Sequence, residues 1–224
     1  MSFVDFIFPK MCLGCGMSGC YVCTSCLSKM TSAKEICPGC GKYSFCGKTH
    51  LICKNRCDFD GLVLVWVYEG VVRKALIQLK YRFSNDLVRE LVEGSSVELA
   101  KKTEGWGGCV LVPVPLEKGR ERWRGFNQTE EMGRVLARKM GWEYSELLCK
   151  TKKTKTQVGL KGKEREENVR DAFLTNKKLT GFINKNKRYV IFDDVWTTGN
   201  TLKECAKALK KEGIKSVWGL VVCG

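Results

Sequence analysis

From residue 59 to the end of the chain, short runs of apolar residues alternate with segments in which apolar positions recur every three or four residues. The runs predict buried β-strands, and the periodic segments predict amphipathic helices. Predicted strands cover residues 62–68, 109–115, 188–193 and 216–223, and predicted helices cover residues 72–79, 87–100, 128–140 and 201–212. This alternation predicts an α/β fold with a mostly parallel sheet and flanking helices.

The N-terminal part of the chain has a different pattern and contains no long periodic apolar segment. Ten of the fourteen cysteines lie between Cys12 and Cys57, and several of them form C-x-x-C pairs. A segment of this composition buries too little apolar surface to fold without cross-links. The change of composition near residue 58 therefore predicts two domains, a cysteine-rich one at residues 1–58 and an α/β domain at residues 59–224.

The spacing of these cysteines is typical of a double zinc ribbon. Each pair puts two sulfur atoms on one tight turn, and two pairs complete a tetrahedron around Zn²⁺. Four protein ligands leave no open position on the metal, which favours a structural role over a catalytic one. Cys20, Cys46 and His50 are close enough in sequence to substitute in either set. The predicted sets are Cys12, Cys15, Cys23 and Cys26 for one ion, and Cys37, Cys40, Cys53 and Cys57 for the other.

The start of the chain and its apolar runs indicate no secretion signal and no membrane span. An acid, Asp5, comes early, and no basic leader precedes an apolar stretch. The longest apolar runs are far shorter than the ~20 residues that cross a bilayer. We therefore expect a cytoplasmic protein with reduced thiols and no membrane insertion. The formal net charge of +15 predicts anionic partners, and charge alone does not choose among them.

The segment at residues 189–202 carries the most specific chemistry. An apolar strand runs into Asp193 and Asp194, and then into a Thr/Gly turn at the start of a helix. The acids can hold ribose hydroxyls or a hydrated Mg²⁺, and the turn can hold a phosphate. A plain helix N-cap is the alternative. The segment matches neither a Walker loop nor a G-x-G-x-x-G motif. The predicted phosphate ligands are Thr197, Thr198, Gly199, Asn200 and Thr201.

This loop resembles the motif with which type I phosphoribosyltransferases bind 5-phosphoribosyl-1-pyrophosphate (PRPP). Nearly the whole chain resembles the ComF family of competence-associated proteins, in which a double zinc ribbon precedes a phosphoribosyltransferase-type domain. Members of that family are implicated in DNA uptake during natural transformation. The segments that carry the resemblance are Phe8-Pro9-Lys10-Met11-Cys12, Leu79-Lys80-Tyr81, Val112-Pro113-Val114-Pro115, Arg122-x-Arg124-Gly125-Phe126-Asn127-Gln128, Thr156-Gln157-x-x-Leu160 and Arg165-x-x-Asn168-Val169-Arg170-x-Ala172-Phe173.

The resemblance implies roles for several basic and polar residues. Lys80 and Arg124 would stabilise the pyrophosphate of PRPP, which would bind together with Mg²⁺. A lysine-rich segment at residues 150–170 would form a lid over the ligand, although such a segment also suits a nucleic-acid backbone. The residues implied at the mouth of the site are Arg122, Asn127 and Gln128.

Two functions stay open at this point. As a PRPP-binding protein of the ComF type, the chain would take part in DNA uptake, bind single-stranded DNA and meet other competence proteins such as a helicase. As an active phosphoribosyltransferase, it would displace pyrophosphate from PRPP with a nitrogen nucleophile, with Glu130 or Glu131 as the nearest candidates for a base. We do not expect a glutamine-dependent amidophosphoribosyltransferase, because that activity needs a glutaminase domain with an N-terminal Cys nucleophile and Met1-Ser2 supplies none. The aromatic residues that alternate with Lys and Arg, and that suit base stacking, are Tyr81, Phe83, Trp123 and Phe126.

Overall fold

The computed structural model describes residues 9–81, 84–151 and 169–224. Within them, 3₁₀ turns cover Phe45–Gly47, Leu51–Arg56 and Thr180–Phe182. The helices are α1 (Thr24–Leu27), α2 (Gly70–Tyr81), α3 (Asn85–Lys102), α4 (Lys118–Arg124), α5 (Gln128–Met140) and α6 (Asn200–Lys211). The strands are β1 (Gly61–Trp66), β2 (Val110–Pro113), β3 (Glu143–Tyr144), β4 (Leu148–Lys150), β5 (Phe173–Thr175), β6 (Arg188–Val195) and β7 (Ser216–Cys223).

Five strands form one sheet in the order β1-β7-β6-β2-β3. Every neighbouring pair in this sheet is parallel, whereas β4 and β5 form a separate antiparallel pair. Parallel neighbours need connections that cross a face of the sheet, and the helices supply these crossovers. The predicted α/β fold with a parallel sheet and flanking helices is therefore confirmed.

The central strands are buried on both faces because helices cover both faces of the sheet. In β6, Val190 and Phe192 pack in one core together with Leu91 of α3. The intervening residue, Ile191, packs in a second core together with Leu209 of α6. Successive side chains of a strand point to opposite faces, so one strand contributes to two cores. This double burial explains the continuous apolar runs in the sequence.

The cysteine-rich segment is attached to the α/β domain by hydrogen bonds. In α3, the Glu90 carboxylate accepts bonds from the backbone N–H groups of Tyr21 and Val22, at 2.9 and 2.7 Å. Isolated antiparallel bridges join the segment to the first and the last residue of β1. Since β1 lies at the edge of the sheet, these contacts also cover an edge that would otherwise be open to pairing.

Several elements differ from the predicted ones. The helix α4 has no buried residue and is rich in charge, so apolar periodicity does not mark it. The strands β3, β4 and β5 are only two or three residues long, which is too short for a pattern to show. Most of the predicted lid lies outside the described residues, at positions 152–168. In the part of the chain that the structure describes, no helix has the length and apolar character needed to cross a membrane.

Candidate functional site

The strand order creates a crevice at the carboxyl edge of the sheet, between β2 and β6. The chain leaves β2 toward β3 on one side and leaves β6 toward β7 on the other, so the loops after these strands diverge. Open α/β sheets bind ligands at such a point. A cleft of about 420 Å³ lies there. Its lining includes the predicted residues Lys80, Arg124, Asp193 and Asp194, and all of residues 197–201.

The turn between β6 and α6 depends on a glycine. Gly199 has a φ of 72°, in the left-handed region that favours glycine. A Cβ atom at this position would lie 2.1 Å from the ring of Trp196, so the ring packs closely against the turn. The first turn of α6 contains no acidic residue. The positive end of the helix dipole therefore faces the cleft without a competing carboxylate of its own.

Lys80 interacts with both acids at the end of β6. Asp194 is buried, and its Oδ2 atom lies 3.3 Å from Nζ of Lys80, in the last turn of α2. Asp193 accepts a hydrogen bond from the backbone N–H of Asp194 at 2.9 Å. The ion pair joins a helix to the sheet at the floor of the cleft. It also brings together residues that are more than one hundred positions apart in sequence.

A chain of hydrogen bonds extends from Asp194 to a second cation. Gln128, the first residue of α5, donates from Nε2 to Asp194 Oδ2 at 2.8 Å. Arg124 donates from Nη1 to Gln128 Oε1 at 2.9 Å. The Nε atom of Arg124 is buried and has no hydrogen-bond partner among the described residues. The guanidinium group therefore has one donor that no described residue satisfies, and other atoms of Arg124 line the cleft.

The pKa values in the cleft reflect the crowding of charge. Burial, together with the charge of Asp194, raises the pKa of Asp193 to about 8. Burial acts to lower the pKa of Lys80, but the two acids outweigh it and raise the pKa. Burial and the nearby Arg120 lower the pKa of Lys150. These shifts favour a charged Lys80 and a proton on Asp193 near neutral pH.

The structure changes the predicted outline of the site in three places. Arg120 on α4 lines the cleft, and sequence patterns missed it because that helix shows no apolar period. Lys150 at the end of β4, the first residue of the predicted lid segment, also lines the cleft. Arg122 is exposed and is not among the described residues that line the cleft. Phe83 and residues 152–168 lie outside the described residues.

The first cysteine cluster contains the predicted ligands. The ligand atoms of Cys12, Cys15, Cys23 and Cys26 all lie within 4.8 Å of one another. Gly14 permits this approach, since a Cβ there would lie 2.5 Å from Sγ of Cys26. The N–H of Cys23 donates to Sγ of Cys12 at 3.4 Å. Burial acts to raise the pKa of Cys12, but backbone N–H groups lower it to about 6. Such a set of thiols could hold Zn²⁺.

The second cluster contains His50 in place of the predicted Cys57. Nδ1 of His50 lies 3.4 Å from Sγ of Cys40, and Nε2 lies 3.1 Å from the carbonyl oxygen of Tyr43. A carbonyl partner fixes the proton on Nε2 and leaves Nδ1 for a metal. Three thiolates and one imidazole could hold Zn²⁺. The residues whose ligand atoms lie within 4.8 Å of one another are Cys37, Cys40, His50 and Cys53.

Cys57 belongs to the apolar core instead. Its side chain is buried in the same cluster as Phe59 and Leu62. Burial raises the pKa of its thiol, so the neutral form is favoured. The prediction that Cys57 is a metal ligand is therefore wrong, because its spacing is suitable but its side chain packs into the core. Neither Cys20 nor Cys46 belongs to either of the two clusters that the described residues form.

Two metal-ligand clusters that fit a double zinc ribbon precede a parallel α/β sheet with flanking helices, and these features define the class of the protein. No protein-family model matches the chain. Individual proteins match most of the chain, and on that similarity the chain belongs to the ComF family of competence-associated proteins.

The relatives match over most of their length. The chain is 30% identical to DNA utilization protein YhgH of Escherichia coli (strain K12) over 211 residues, which cover 90% of this chain and 89% of the relative. It is 29% identical to Competence protein F of Haemophilus influenzae over 222 residues, covering 88% and 95%. It is 27% identical to Competence protein ComFC of Bacillus subtilis over 205 residues, covering 87% and 78%.

Proposed function

We propose that this chain is a PRPP-binding protein of the ComF type that acts in DNA uptake. The observation that carries the PRPP proposal is the meeting of two acids, four basic residues and a Thr/Gly turn in one cleft. Each group suits one part of PRPP: the turn suits the 5-phosphate, the acids suit the ribose, and the cations suit the pyrophosphate. The cleft volume of about 420 Å³ falls in the range of small-molecule sites.

The 5-phosphate is assigned to residues 197–201. Backbone N–H groups at the start of α6 and the hydroxyl groups of Thr197, Thr198 and Thr201 can surround a phosphate dianion there. Gly199 gives the left-handed turn that starts α6, and its missing side chain leaves room for the ring of Trp196. The dipole of a twelve-residue helix adds a favourable charge interaction at this end.

The ribose and the Mg²⁺ are assigned to Asp193 and Asp194. Carboxylate oxygens are the ligands that Mg²⁺ prefers, and they also accept hydrogen bonds from sugar hydroxyls. In the free protein, Lys80 pairs with the carboxylate of Asp194, and Gln128 donates a hydrogen bond to it. When the ligand binds, Lys80 is then free to pair with pyrophosphate. Because the pKa of Asp193 is raised, coordination of Mg²⁺ by this carboxylate would release a proton.

Titration calorimetry with PRPP and Mg²⁺ tests this assignment. The double variant Asp193→Asn/Asp194→Asn keeps the side-chain shapes but removes both charges, and we expect affinity to fall by about 100-fold or more. The matched control is Asp58→Asn, an exposed acid in the cysteine-rich segment, which should leave affinity unchanged. Equal affinity of the double variant and the wild type would contradict the site.

The role in DNA uptake is supported by the names of the relatives and by charge. One relative is named for DNA utilization and two for competence. A net charge of +15 favours binding to a nucleic-acid backbone. We extend the proposal to single-stranded DNA and to other competence proteins, such as a helicase, as partners. Thiol clusters of this kind need a reducing compartment, so we place the protein in the cytoplasm.

An active phosphoribosyltransferase is the second candidate function. The C1–N bond would form as the C1–O bond breaks, pyrophosphate would leave with the electron pair, and a base would take the proton of the nucleophile. Lys80 and Arg124 are placed to stabilise the leaving group, and Asp193 can exchange a proton near neutral pH. Glu130 is less suited, since its carboxylate accepts a bond from Asn127 and does not line the cleft.

The two functions differ in one measurement. PRPP-dependent release of pyrophosphate, assayed with a panel of amines and nucleobases, should appear only if the protein is a transferase. The variant Lys80→Met should then lose turnover by about 100-fold or more, since it removes a charge that faces the leaving group. If PRPP binds and no acceptor supports release, the cleft serves as a ligand sensor.

A further inference from the structure

We infer that the second zinc ribbon carries a surface for single-stranded nucleic acid, separate from the PRPP cleft, on which Tyr43 and Phe45 stack with bases. The inference rests on the proposed role in DNA handling and names the surface responsible. The surface is a groove of about 690 Å³ beside the amino ends of β1 and β7. We call it the ribbon groove, and its lining includes Tyr43, Phe45, Lys48, Leu51, Lys54 and Trp218.

Large apolar side chains in this region are exposed to an unusual degree. Tyr43 is 70% exposed and Phe45 is 71% exposed. Leu51 and Ile52, on the adjacent 3₁₀ turn, are 80% and 87% exposed. Burying an aromatic ring of this size is strongly favourable, so a cluster of rings and aliphatic side chains left in water marks a binding surface.

The backbone sets the two rings on the same side of the chain. Ser44 between them is extended, with φ −149° and ψ 129°, and its own hydroxyl turns inward to bond the Lys48 carbonyl. In a strand, residues that flank an extended position point the same way, and their α-carbon atoms stand ~6.6 Å apart. Both rings line the ribbon groove. Stacked bases in one strand of a duplex are only ~3.4 Å apart. The rings therefore suit bases that have separated from one another, as in a single strand.

The charges around the ribbon groove favour a polyanion. Lys42, Lys48 and Lys54 are all exposed beside the rings. The acid in the groove lining is Asp60, and its charge is balanced, because its Oδ2 accepts bonds from Nζ of Lys210 at 3.0 Å and from the N–H of Val217 at 2.7 Å. Rings interleaved with lysines are the combination that binds single strands without a sequence preference.

The metal cluster holds this surface in place. Nε2 of His50 lies 3.1 Å from the carbonyl oxygen of Tyr43, so a metal ligand orients the residue that carries the first ring. A preformed surface loses less conformational entropy on binding. The ribbon groove lies at the amino edge of the sheet, whereas the cleft lies at its carboxyl edge. The eight residues of β7 between the two edges span ~23 Å, so both ligands can bind at once.

Fluorescence anisotropy of a labelled oligothymidylate with the zinc-loaded full chain tests the inference. We expect Tyr43→Ala/Phe45→Ala to weaken binding about tenfold or more, since each stacked base contributes substantially. The conservative pair Tyr43→Phe/Phe45→Tyr keeps both rings and should bind as the wild type does. Phe182→Ala removes a ring that is 85% exposed elsewhere on the surface and should have no effect. A duplex of matched sequence should bind more weakly than the single strand.

The outcomes separate this inference from the proposed function. If the wild type binds no oligonucleotide at low salt, both the DNA role and the inference fail. If the wild type binds and the Ala pair binds equally well, the inference fails while the DNA role stands. Loss of binding in Trp123→Ala alone would move the surface to the neighbourhood of the cleft and would also overturn the inference.

Further measurements distinguish a loss of binding from misfolding of the variant. The Ala pair should keep two zinc ions per chain and unchanged PRPP affinity, because the cleft lies at the opposite edge. Should it lose zinc, Lys48→Gln/Lys54→Gln decides instead. That variant should lower the slope of log affinity against log salt by about 0.7 for each phosphate that the lysines no longer neutralise. An unchanged slope would overturn the inference.

Discussion

The cysteine clusters and the cleft handle crowded charge in opposite ways. In the first cluster, four thiols lie within 4.8 Å of one another, and their thiolates repel unless a cation binds among them. In the cleft, Asp193 and Asp194 are balanced by Lys80 and by the amide of Gln128. We therefore expect the clusters to depend on a metal, whereas the charges of the cleft are balanced before any ligand binds.

This difference determines which groups can exchange partners. A thiolate that leaves its metal remains beside three others of like charge and repels them. Because metal binding is coupled to folding, we expect the cluster to open only when the ribbon unfolds. Lys80 can leave Asp194 for a phosphate at little cost, because the incoming ligand replaces one ionic contact with another. Like charges around a metal thus give the clusters a fixed structure, whereas paired unlike charges give the cleft reversible binding.

The largest effect is expected from removal of one thiolate of the first cluster. Structural zinc contributes about 10–16 kcal/mol of apparent binding free energy in small zinc domains. Cys12→Ser should lower the metal content from two zinc ions to one per chain and sharply lower the melting temperature. Elemental analysis and thermal unfolding measure this. Cys149→Ser, outside both clusters, is the control that should keep two ions. An unaltered zinc content in Cys12→Ser would show that the cluster does not depend on a metal.

A second comparison concerns the fourth ligand of the second cluster. His50→Ala should release one zinc ion, since it removes the imidazole that lies 3.4 Å from Sγ of Cys40. Cys57→Ala should keep both ions and lose about 1 kcal/mol of stability or less, because it removes one buried sulfur atom. Zinc content measured on the two variants in parallel checks this. Zinc loss in Cys57→Ala with retention in His50→Ala would reinstate the ligand set predicted from spacing.

A smaller effect is expected where the cleft loses its balancing cation. Lys80→Met should lower the free energy of unfolding by about 1–3 kcal/mol, less than for a fully buried pair, because the Lys80 side chain is 31% exposed. Adding Asp194→Asn should restore part of the loss, since the uncompensated acid is then neutral. Urea unfolding of the four proteins gives the coupling energy. A coupling of zero would mean that the pair does not balance the cleft.

The smallest effect concerns pH. The pKa of Asp193 is raised to about 8 in the folded protein, so the folded state binds more protons than the unfolded state between about pH 4 and 8. Stability from this group is therefore complete at low pH and is lost as pH rises toward 8. Compared with Asp193→Asn, the wild type should lose about 1–2 kcal/mol between pH 5 and 8, after allowance for solvent in the open cleft. Urea unfolding at both pH values measures the difference, and parallel profiles would contradict the raised pKa.

Sequence patterns predicted the elements whose burial is regular. The strand β6 and the helix α6 are marked by an apolar run and by a strong period, and the acids between them follow from the same run. The helix α4 could not be found in this way, since none of its residues is buried. Arg120, which lies on that helix, was missed for the same reason. The division of the chain at residue 58 stays a prediction.

Contacts between distant parts of the chain were beyond the reach of spacing. Gln128 and Asp194 are 66 positions apart, and only the fold places their side chains at 2.8 Å. Likewise, spacing treats His50 and Cys57 as equivalent neighbours of Cys53, whereas packing sends one side chain toward the thiols and the other into the core. Sequence motifs identify the residues that can serve as ligands, and tertiary packing determines which of them do.

If zinc occupies the second cluster, the hydrogen bond from His50 to the Tyr43 carbonyl would make the outer face of the second ribbon respond to zinc supply. Under zinc starvation, the imidazole would no longer be held by a metal, and the residue that it orients would lose its fixed position. The carboxyl-edge cleft has no such link to either metal among its described hydrogen bonds. Withdrawal of the metal would therefore weaken the proposed binding of a nucleic-acid strand before it affects the proposed binding of a sugar phosphate.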